Sequence, residues 1–357
     1  MGMLPQRQLL TDQATALLRD LAIKGHWGDT LPSEADLCRE FQISRVTLRR
    51  ALVQLAREGV IVMGGRGRHH RVVQTGGGAE QQTGRVVRML SPYPRHRVNV
   101  TAQLVQNALL ERLAKEGFLM QLEVHPGLYQ RFSEREMRKL LTLPDTAGWL
   151  LYLSTREQQA FFAKAGLPCV VLGSVHGGVS LANVEFDLRS SCRHAAGLFL
   201  ARGRTEMIFL TPMPMTAGDQ ASAAGFIEGA ATAQQSGRVR VVNYDTTVPD
   251  LCRVLQDEMQ RRPFPNAILV GWPEHTFTVL GLLHRLGYRV PEDVAVISRL
   301  DDQYLSYSIP SVARYQVDGE RMGRRAAELL LDQIYHGTGK IRSIHLLPEF
   351  VRGETLG

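Results

Sequence analysis

The stretch FQISRVTLRRALVQL, residues 41–55, combines two patterns in one segment. At about 100° per residue, one helical face collects four apolar side chains, Leu48, Ala51, Leu52 and Leu55. The opposite half collects Arg45, Val46, Arg49 and Arg50, with Thr47 to one side. The pattern predicts a helix that packs through its leucines and presents arginines outward.

A short turn separates this helix from a helix predicted within LPSEADLCREF, residues 31–41. Ser33 is placed to cap the first helix and Ser44 to cap the second. Two helices joined in this way are typical of a helix-turn-helix, whose second helix enters the major groove of DNA. Arginine suits guanine and phosphate, and the methyl groups of Val46 and Thr47 suit thymine. A solvated arginine face with no partner is the alternative.

Residues 60–73, VIVMGGRGRHHRVV, predict two short strands around a glycine-rich turn. The basic tip of such a hairpin can enter a minor groove or contact phosphates. Between residues 39 and 73 there are eight arginines and two acidic residues, whereas the whole chain has a net charge of +7. The positive charge is therefore concentrated here, and a polyanion partner is expected.

Residues 31–73 resemble the winged-helix DNA-binding domain of GntR-type bacterial regulators. The shared motifs are LPSE, SR-x-T followed by a hydrophobic residue and arginine, L-x-x-EG, and GRG. Where the family often has an arginine after LPSE, this chain has Ala35. The resemblance implies contacts to double-stranded operator DNA from Ser33, Ser44, Arg45, Val46, Thr47, Arg49, Arg50, Gly65, Arg66, Gly67, Arg68 and His69.

Residues 74–84, QTGGGAEQQTG, predict a flexible linker between a domain of residues 1–73 and a domain of residues 85–357. After the linker, short apolar runs alternate with amphipathic stretches. The expected strands are RVVRML, LMQLEV, GWLLYL, CVVLG, MIFLT, VRVVNY, AILVG and VAVIS. This alternation is typical of α/β proteins with parallel sheets and helices on both faces, and eight strands are enough for two sheets.

The motifs VPEDVAVIS, GLLHRLGYRVPED and MGRRAAELLLDQIYHG resemble the effector domain of LacI-type regulators. A GntR-like head on such a domain is the arrangement of arabinose-type repressors. The resemblance implies an α/β fold class, with an N-terminal winged helix-turn-helix plus a two-lobed periplasmic-binding-protein type I effector domain. It places lobe crossings near residues 187, 309 and 339. Lobe one is then 85–186 and 309–338, and lobe two is 187–308 and 339–357.

Ligands of open α/β sheets bind beyond the C-terminal ends of the strands. An aromatic ring with carboxylates and an arginine would suit a polyhydroxylated ligand such as a sugar, although each residue could also be an ordinary surface loop residue. The residues that follow the expected strands are the candidate effector contacts: Tyr93, Arg95, Ser154, Asp187, Asp219, Gln220, Trp272, Glu274 and Asp301.

Three ligand-facing positions depart from sugar-responsive members of the resembled family. Those members carry an arginine three residues before a Gly-Phe pair, where this chain has Ser222. Pro273 replaces the aspartate of their AND motif, and RLDD, residues 299–302, replaces GFDD. These changes argue against a simple pentose or hexose as the ligand.

The chain has no long apolar run and no secretory signal, so a cytoplasmic protein without membrane contact is expected. Its four cysteines lack metal-ligand spacing, and no cofactor-binding motif is present. We expect a homodimeric, non-enzymatic transcription repressor that binds operator DNA and a small-molecule effector, sugar or sugar-like. The alternatives are a DNA-binding head fused to an enzyme-like domain and a transport binding protein. The first lacks a suitably placed Schiff-base lysine, and the second lacks a signal peptide.

Overall fold

The computed structural model describes residues 10–23, 30–41, 43–57, 60–63, 70–72, 85–231, 236–339 and 341–357. The chain divides into two units, Met1–Gln82 and Thr83–Gly357. Unit one contains α1 (Leu10–Ile23), α2 (Glu34–Glu40), α3 (Arg45–Arg57), β1 (Ile61–Val62) and β2 (Arg71–Val72). The two strands pair antiparallel. Three helices followed by a hairpin is the arrangement that the sequence predicts.

Unit one has a single apolar core to which the three helices and β1 contribute. The core residues are Ala14, Leu18, Leu31, Leu37, Leu48, Ala51, Leu52, Leu55 and Ile61. The four from α3 are the residues that the helical projection placed on its packed face, and each is fully buried. That prediction is confirmed. Burial of a leucine side chain stabilises a fold by about 1.5–3 kcal/mol, so this face holds α3 in position.

Unit two contains two six-stranded sheets and nine α-helices among its described residues. Its strands are β3 (Val86–Ser91), β4 (Leu119–Val124), β5 (Thr146–Tyr152), β6 (Cys169–Leu172), β7 (Ala182–Phe186), β8 (Glu206–Pro212), β9 (Arg238–Tyr244), β10 (Ala267–Val270), β11 (Ala295–Ser298), β12 (Ala313–Gln316), β13 (Ser343–Leu346) and β14 (Glu349–Val351). Its α-helices are α4 (Val100–Ala114), α5 (Pro126–Gln130), α6 (Glu134–Leu141), α7 (Arg156–Ala165), α8 (Leu188–Leu200), α9 (Ala217–Ala230), α10 (Val248–Gln260), α11 (Thr276–Arg285) and α12 (Gly319–His336).

The strand order is β13-β7-β6-β5-β3-β4 in the sheet of lobe one and β14-β12-β11-β10-β8-β9 in the sheet of lobe two. The neighbours are parallel, apart from the antiparallel pair of β12 and β14. Parallel strands joined through helices confirm the predicted α/β class. Strand β4 lies at one edge of the lobe-one sheet, and strand β9 lies at one edge of the lobe-two sheet.

Each sheet is covered on both faces because its strand residues alternate between two cores. In β5, Leu150 packs with residues of α4 and α12. Its neighbours Trp149 and Leu151 pack with residues of α6 and α7 on the other face. Lobe two has the same construction, with one core against α8 and α9 and another against α10 and α11. Strands buried on both faces explain the continuous apolar runs in the sequence.

The chain crosses between the lobes at three places, of which the first lies near residue 187, as expected. The second and third differ from the expected positions near 309 and 339. Residues 313–316 remain in lobe two, because β12 pairs with β11. Residues 343–346 lie in lobe one, because β13 pairs with β7. The second crossing therefore follows Gln316, and the third lies between Leu346 and Glu349.

No described helix combines the length and apolar character that a membrane span requires.

Candidate DNA-contact face and effector cavity

The N-terminal end of α3 is fixed by its own capping serine. The Ser44 Oγ accepts the Thr47 backbone N–H at 3.1 Å, and the two side-chain hydroxyls lie 2.9 Å apart. The Thr47 hydroxyl is thus engaged within the chain, which leaves its methyl group for an outside contact. The preceding helix is capped in the same way, since the Ser33 Oγ accepts the Asp36 N–H at 3.2 Å. Both serines have a structural role as helix caps.

The outward face of α3 carries the predicted arginines. Arg45 and Arg50 are exposed, and Val46 between them is 62% exposed. An apolar side chain on an exposed helix start, flanked by guanidinium groups, is suited to contact a base edge. The free N–H groups of the first helical turn add to the attraction for phosphate.

Arg49 differs from its neighbours because a carboxylate holds it. Its Nε donates to the Glu34 carboxylate at 3.0 and 3.3 Å, and the Arg49 side chain remains 66% exposed. The Nε2 of buried His70 lies 3.7 Å from the same carboxylate. Glu34 belongs to the LPSE motif and was not among the predicted contacts. It holds the Nε of Arg49, whose side chain as a whole remains largely exposed.

The predicted hairpin contacts Gly65, Arg66, Gly67, Arg68 and His69 lie outside the described residues. They stay predictions. The strands that flank them pair in register, with Ile61 opposite Val72 and Val62 opposite Arg71.

A cavity of about 270 Å³ lies between the two lobes of unit two. It is lined from lobe one by residues that follow β3, β5 and β6, and from lobe two by residues that follow β8, β10 and β11. This is the position that parallel sheets provide for a ligand. Six of the nine predicted effector contacts line it: Tyr93, Ser154, Asp219, Trp272, Glu274 and Asp301.

The other three predicted contacts lie elsewhere. Arg95 is exposed and donates to Asn107 on α4. Gln220 is exposed on α9. Asp187 caps α8 at the first crossing, where its Oδ1 accepts the Ser190 N–H at 3.0 Å. None of the three lines the cavity, because a residue after a strand can also serve the next helix or face solvent, and their role as effector contacts stays a prediction.

Asp219 lines the cavity, but its oxygens are occupied by groups of the chain. Its Oδ2 accepts the N–H and the hydroxyl of Thr216 at 2.9 and 2.8 Å, which completes a capping box on α9. Its Oδ1 accepts Arg299 Nη1 at 2.7 Å. The same Nη1 donates to the Ser222 Oγ at 2.9 Å. Asp219 is therefore a support for Arg299.

Two more polar groups of the cavity wall are held in place by neighbours. Asp301 accepts Arg314 Nε at 2.6 Å. Ser154 accepts Gln159 Nε2 at 3.0 Å. Paired groups of this kind present a rigid wall, since each is already oriented before a ligand enters.

Trp272 forms an aromatic wall supported from behind by two side chains. Its ring stacks on the His275 ring, with centroids 5.8 Å apart and an interplanar angle of 9°. His275 Nδ1 is hydrogen-bonded to the Tyr244 hydroxyl. Burial lowers the pKa of His275, so this ring is neutral at physiological pH. The array fixes the indole plane at the cavity wall.

Glu274 and Tyr152 come from opposite lobes, and the charge of Glu274 influences the ionisation of Tyr152. Burial raises the pKa of the Tyr152 hydroxyl, and the charges of Glu274 and Tyr93 raise it further. Burial also raises the pKa of the Glu274 carboxyl, and the nearby charge of Asp302 raises this pKa further. The Tyr152 hydroxyl therefore stays protonated and can donate a hydrogen bond.

The sequence interpretation missed several residues of the cavity, of which Arg299 is the most prominent. Arg299 was noted only as a departure from GFDD. Its position directly after β11 was the available signal, because the residue after each strand faces the cavity. Asn99, Thr101 and Glu185 also line the cavity, and no strand-end pattern indicated the first two.

Family models match two parts of the chain. Residues 10–69 match the model described as "Bacterial regulatory proteins, gntR family", and residues 196–356 match "Periplasmic binding protein-like domain". A GntR-family model thus matches within unit one, and a periplasmic-binding-protein-like model matches within unit two. This confirms the resemblance found in the sequence.

Curated proteins that are similar to part of this chain are named as transcription regulators. HTH-type transcriptional regulator CelR of Thermobifida fusca is 27% identical over 175 residues, which are 48% of this chain and 51% of CelR. HTH-type transcriptional repressor PurR of Escherichia coli is 22% identical over 190 residues, which are 52% of this chain and 55% of PurR. The chain thus spans about half the length of the curated relatives it matches.

Solved structures share the fold at lower identity. The CelR–cellobiose complex has a TM-score of 0.66 and 19% identity, and the match covers 98% of this chain and 100% of CelR. A LacI-family regulator from Enterococcus faecium with bound ribose has a TM-score of 0.60 and 17% identity, over 76% of this chain and 98% of that chain.

Proposed function

We propose that this protein is a sequence-specific DNA-binding transcription regulator, a repressor, controlled by a small molecule bound between the lobes of unit two. The observation that carries the proposal is the outward arginine face of α3, held by a fully buried leucine face on the same helix. In this proposal the cleft binds its ligand and does not transform it. The protein acts in the cytoplasm.

Operator contacts are assigned to α3. Arg45 and Arg49 read base edges, Val46 and the Thr47 methyl group contact thymine, and Arg50 contacts phosphate. The predicted hairpin residues 65–69 supply further contacts to the backbone or the minor groove. Eight arginines within residues 39–73 provide the electrostatic attraction.

A homodimer is the proposed assembly, because two helix-turn-helix units read two half-sites of a near-palindromic operator. Unit two offers apolar surface for self-association after β11. Tyr307 is 82% exposed there and Ile309 is 96% exposed. Exposed apolar side chains that lie close together in sequence are typical of an association surface.

The effector proposed for the cavity is sugar or sugar-like. The Trp272 ring can stack on the apolar face of a pyranose, and Tyr152 and Glu274 can hydrogen-bond hydroxyl groups. The structural relative CelR was solved with cellobiose, a compound of this class. Ligand binding would favour one arrangement of the lobes and so shift the population that binds DNA.

The test is selection of binding sites from random-sequence duplex DNA, followed by affinity titrations at several salt concentrations. Wild-type protein should enrich a two-fold symmetric motif, and its affinity should fall steeply with salt. Arg45→Ala should weaken binding to the selected site by about 10- to 100-fold, since one bidentate contact discriminates by about 1–3 kcal/mol. Arg324→Ala, which removes the same charge from the exposed surface of α12, is the control and should have no such effect. Failure of wild type to enrich any motif would contradict the proposal.

A further inference from the structure

Arg299 is a buried cation in the cavity wall, and it was not among the predicted effector contacts. It is 4% exposed, and it follows β11 directly. Its Nη1 is occupied by Asp219 and Ser222. Within the part of the chain that the structure describes, its buried Nε has no hydrogen-bond partner. A buried guanidinium with an unused donor beside a cavity is prepared to bind an acceptor.

We propose that Arg299 is the ligand anchor of this cavity and that its guanidinium donates to an acceptor group of the bound ligand. The inference rests on the proposed function. Ser222 is fully buried, and its Oγ lies 2.9 Å from Arg299 Nη1. The guanidinium thus reaches α9 from the end of β11. Ser222 is the small residue that leaves room for it.

The charges around the anchor determine the ligand class. The cavity wall includes Arg97, Arg299 and four carboxylates, from Glu185, Asp219, Glu274 and Asp301. Arg314 pairs with the last of these. Three arginines thus face four carboxylates, and the charge of Arg299 is balanced by Asp219. A ligand carboxylate or phosphate would add to an excess of negative charge. The anchor therefore serves an uncharged acceptor, namely a ring oxygen, hydroxyl or carbonyl group of a neutral sugar.

The binding experiment uses the full chain and four probes: cellobiose, glucose, ribose and the anion gluconate. The variant is Arg299→Met combined with Asp219→Asn, which removes the donors without leaving a buried carboxylate unpaired. The control is Arg88→Met combined with Glu123→Gln, because Arg88 is also buried, pairs with Glu123 and lies outside the cavity lining. Thermal shift and calorimetry report binding.

We expect at least one neutral sugar to bind wild type, and the Arg299 variant to bind it about 10- to 100-fold more weakly, as for loss of a hydrogen bond to a charged donor. The Arg88 control should retain its affinity. Equal binding by wild type and the Arg299 variant would overturn the anchor. Binding of gluconate alone would overturn the ligand class. A wild type that binds selected DNA but no probe would contradict sugar sensing in the proposed function, and the ligand class with it.

A second experiment tests the placement of the Arg299 guanidinium without a ligand. Ser222→Arg places a second guanidinium against the first, so it should lower the melting temperature by about 3–10 °C. Adding Arg299→Gly opens the space and should recover at least half of that loss. If the two substitutions lower the melting temperature additively, the Arg299 guanidinium does not lie against Ser222, and its placement as the anchor is refuted.

Discussion

At the scale of single residues, each unit contains an arginine whose direction is set by a carboxylate. In unit one, Glu34 holds Arg49 by its Nε, and the Arg49 side chain as a whole remains largely exposed. In unit two, Asp219 and Ser222 hold Arg299 by one Nη. A long side chain loses less conformational entropy on binding when its stem is already fixed. Both carboxylates are therefore positioning residues for a neighbouring contact.

The Glu34 contact leads to a prediction in which charge and orientation have opposite effects. Glu34→Gln removes one negative charge near DNA, which by electrostatics alone should strengthen binding. Because it also releases Arg49, we expect binding to the selected operator to weaken by about 3- to 10-fold. The control is Glu40→Gln, which removes the same charge from the exposed C-terminal end of α2. Fluorescence anisotropy on one duplex measures both. If both variants bind more tightly than wild type, Glu34 does not position Arg49.

The sequence predicted the buried and exposed faces of α3 better than the cavity, for a physical reason. The faces of α3 follow from helical periodicity within eleven residues, so Leu48 and Arg45 could be assigned to opposite sides. The Arg299 contacts join residues 77 and 80 positions apart in the chain. No local pattern encodes such a pair. Asp219 lines the cavity as predicted, but it lies in the first turn of α9, and its use in a capping box depends on the loop that carries Thr216.

At the scale of elements, each lobe has one pair of helices packed closely at glycines. On α9, a Cβ added to Gly225 would lie 2.1 Å from the Arg189 carbonyl oxygen of α8, and Gly229 faces Arg193 in the same way. On α12, a Cβ on Gly323 would lie 2.4 Å from the Val105 carbonyl oxygen of α4. Glycine is required at these sites by close backbone approach. In lobe two the contact also fixes α9, which carries Asp219 and Ser222.

Gly225→Ala should therefore destabilise unit two, although alanine is the better helix former. We expect a loss of about 1–3 kcal/mol from overpacking, measured by urea denaturation. The matched control is Gly197→Ala on the partner helix α8, where an added Cβ meets nothing within 4 Å. That variant should gain up to about 1 kcal/mol from helix propensity. A neutral or stabilising Gly225→Ala would show that α8 and α9 are not in close contact.

The positions of the lobe crossings depend on information that the sequence of a single strand does not contain. The apolar runs of β3 to β6 and of β8 to β11 predicted their existence as strands. The destinations of β12 and β13 depend on which sheet has an open edge, and that is decided by strands far away in sequence. β12 closes the β11 edge of lobe two, whereas β13 joins β7 in lobe one. Their short, mixed sequences, ARYQ and SIHL, do not distinguish these partners.

At the scale of the whole molecule, charge and cavity belong to different units. Residues 39–73 hold eight arginines and two acidic residues, and the rest of the chain is close to neutral. The cavity lies entirely in unit two. The positive charge and the cavity thus belong to separate units, and each unit has its own hydrophobic core.

Separate cores predict separate effects on thermal unfolding of the full chain. Leu52 is fully buried in the core of unit one, so Leu52→Ala should cost about 2–5 kcal/mol there. For a domain of this size the loss lowers the melting temperature by about 10 °C or more. Differential scanning calorimetry should show this shift in one transition while the other stays in place. Val53→Ala, at an adjacent position that is 40% exposed, is the control and should leave both transitions nearly unchanged. A single transition that moves as a whole in Leu52→Ala would mean that the two units unfold together. A loss of folding free energy confined to unit one can lower the stability of unit two only if the two units are coupled.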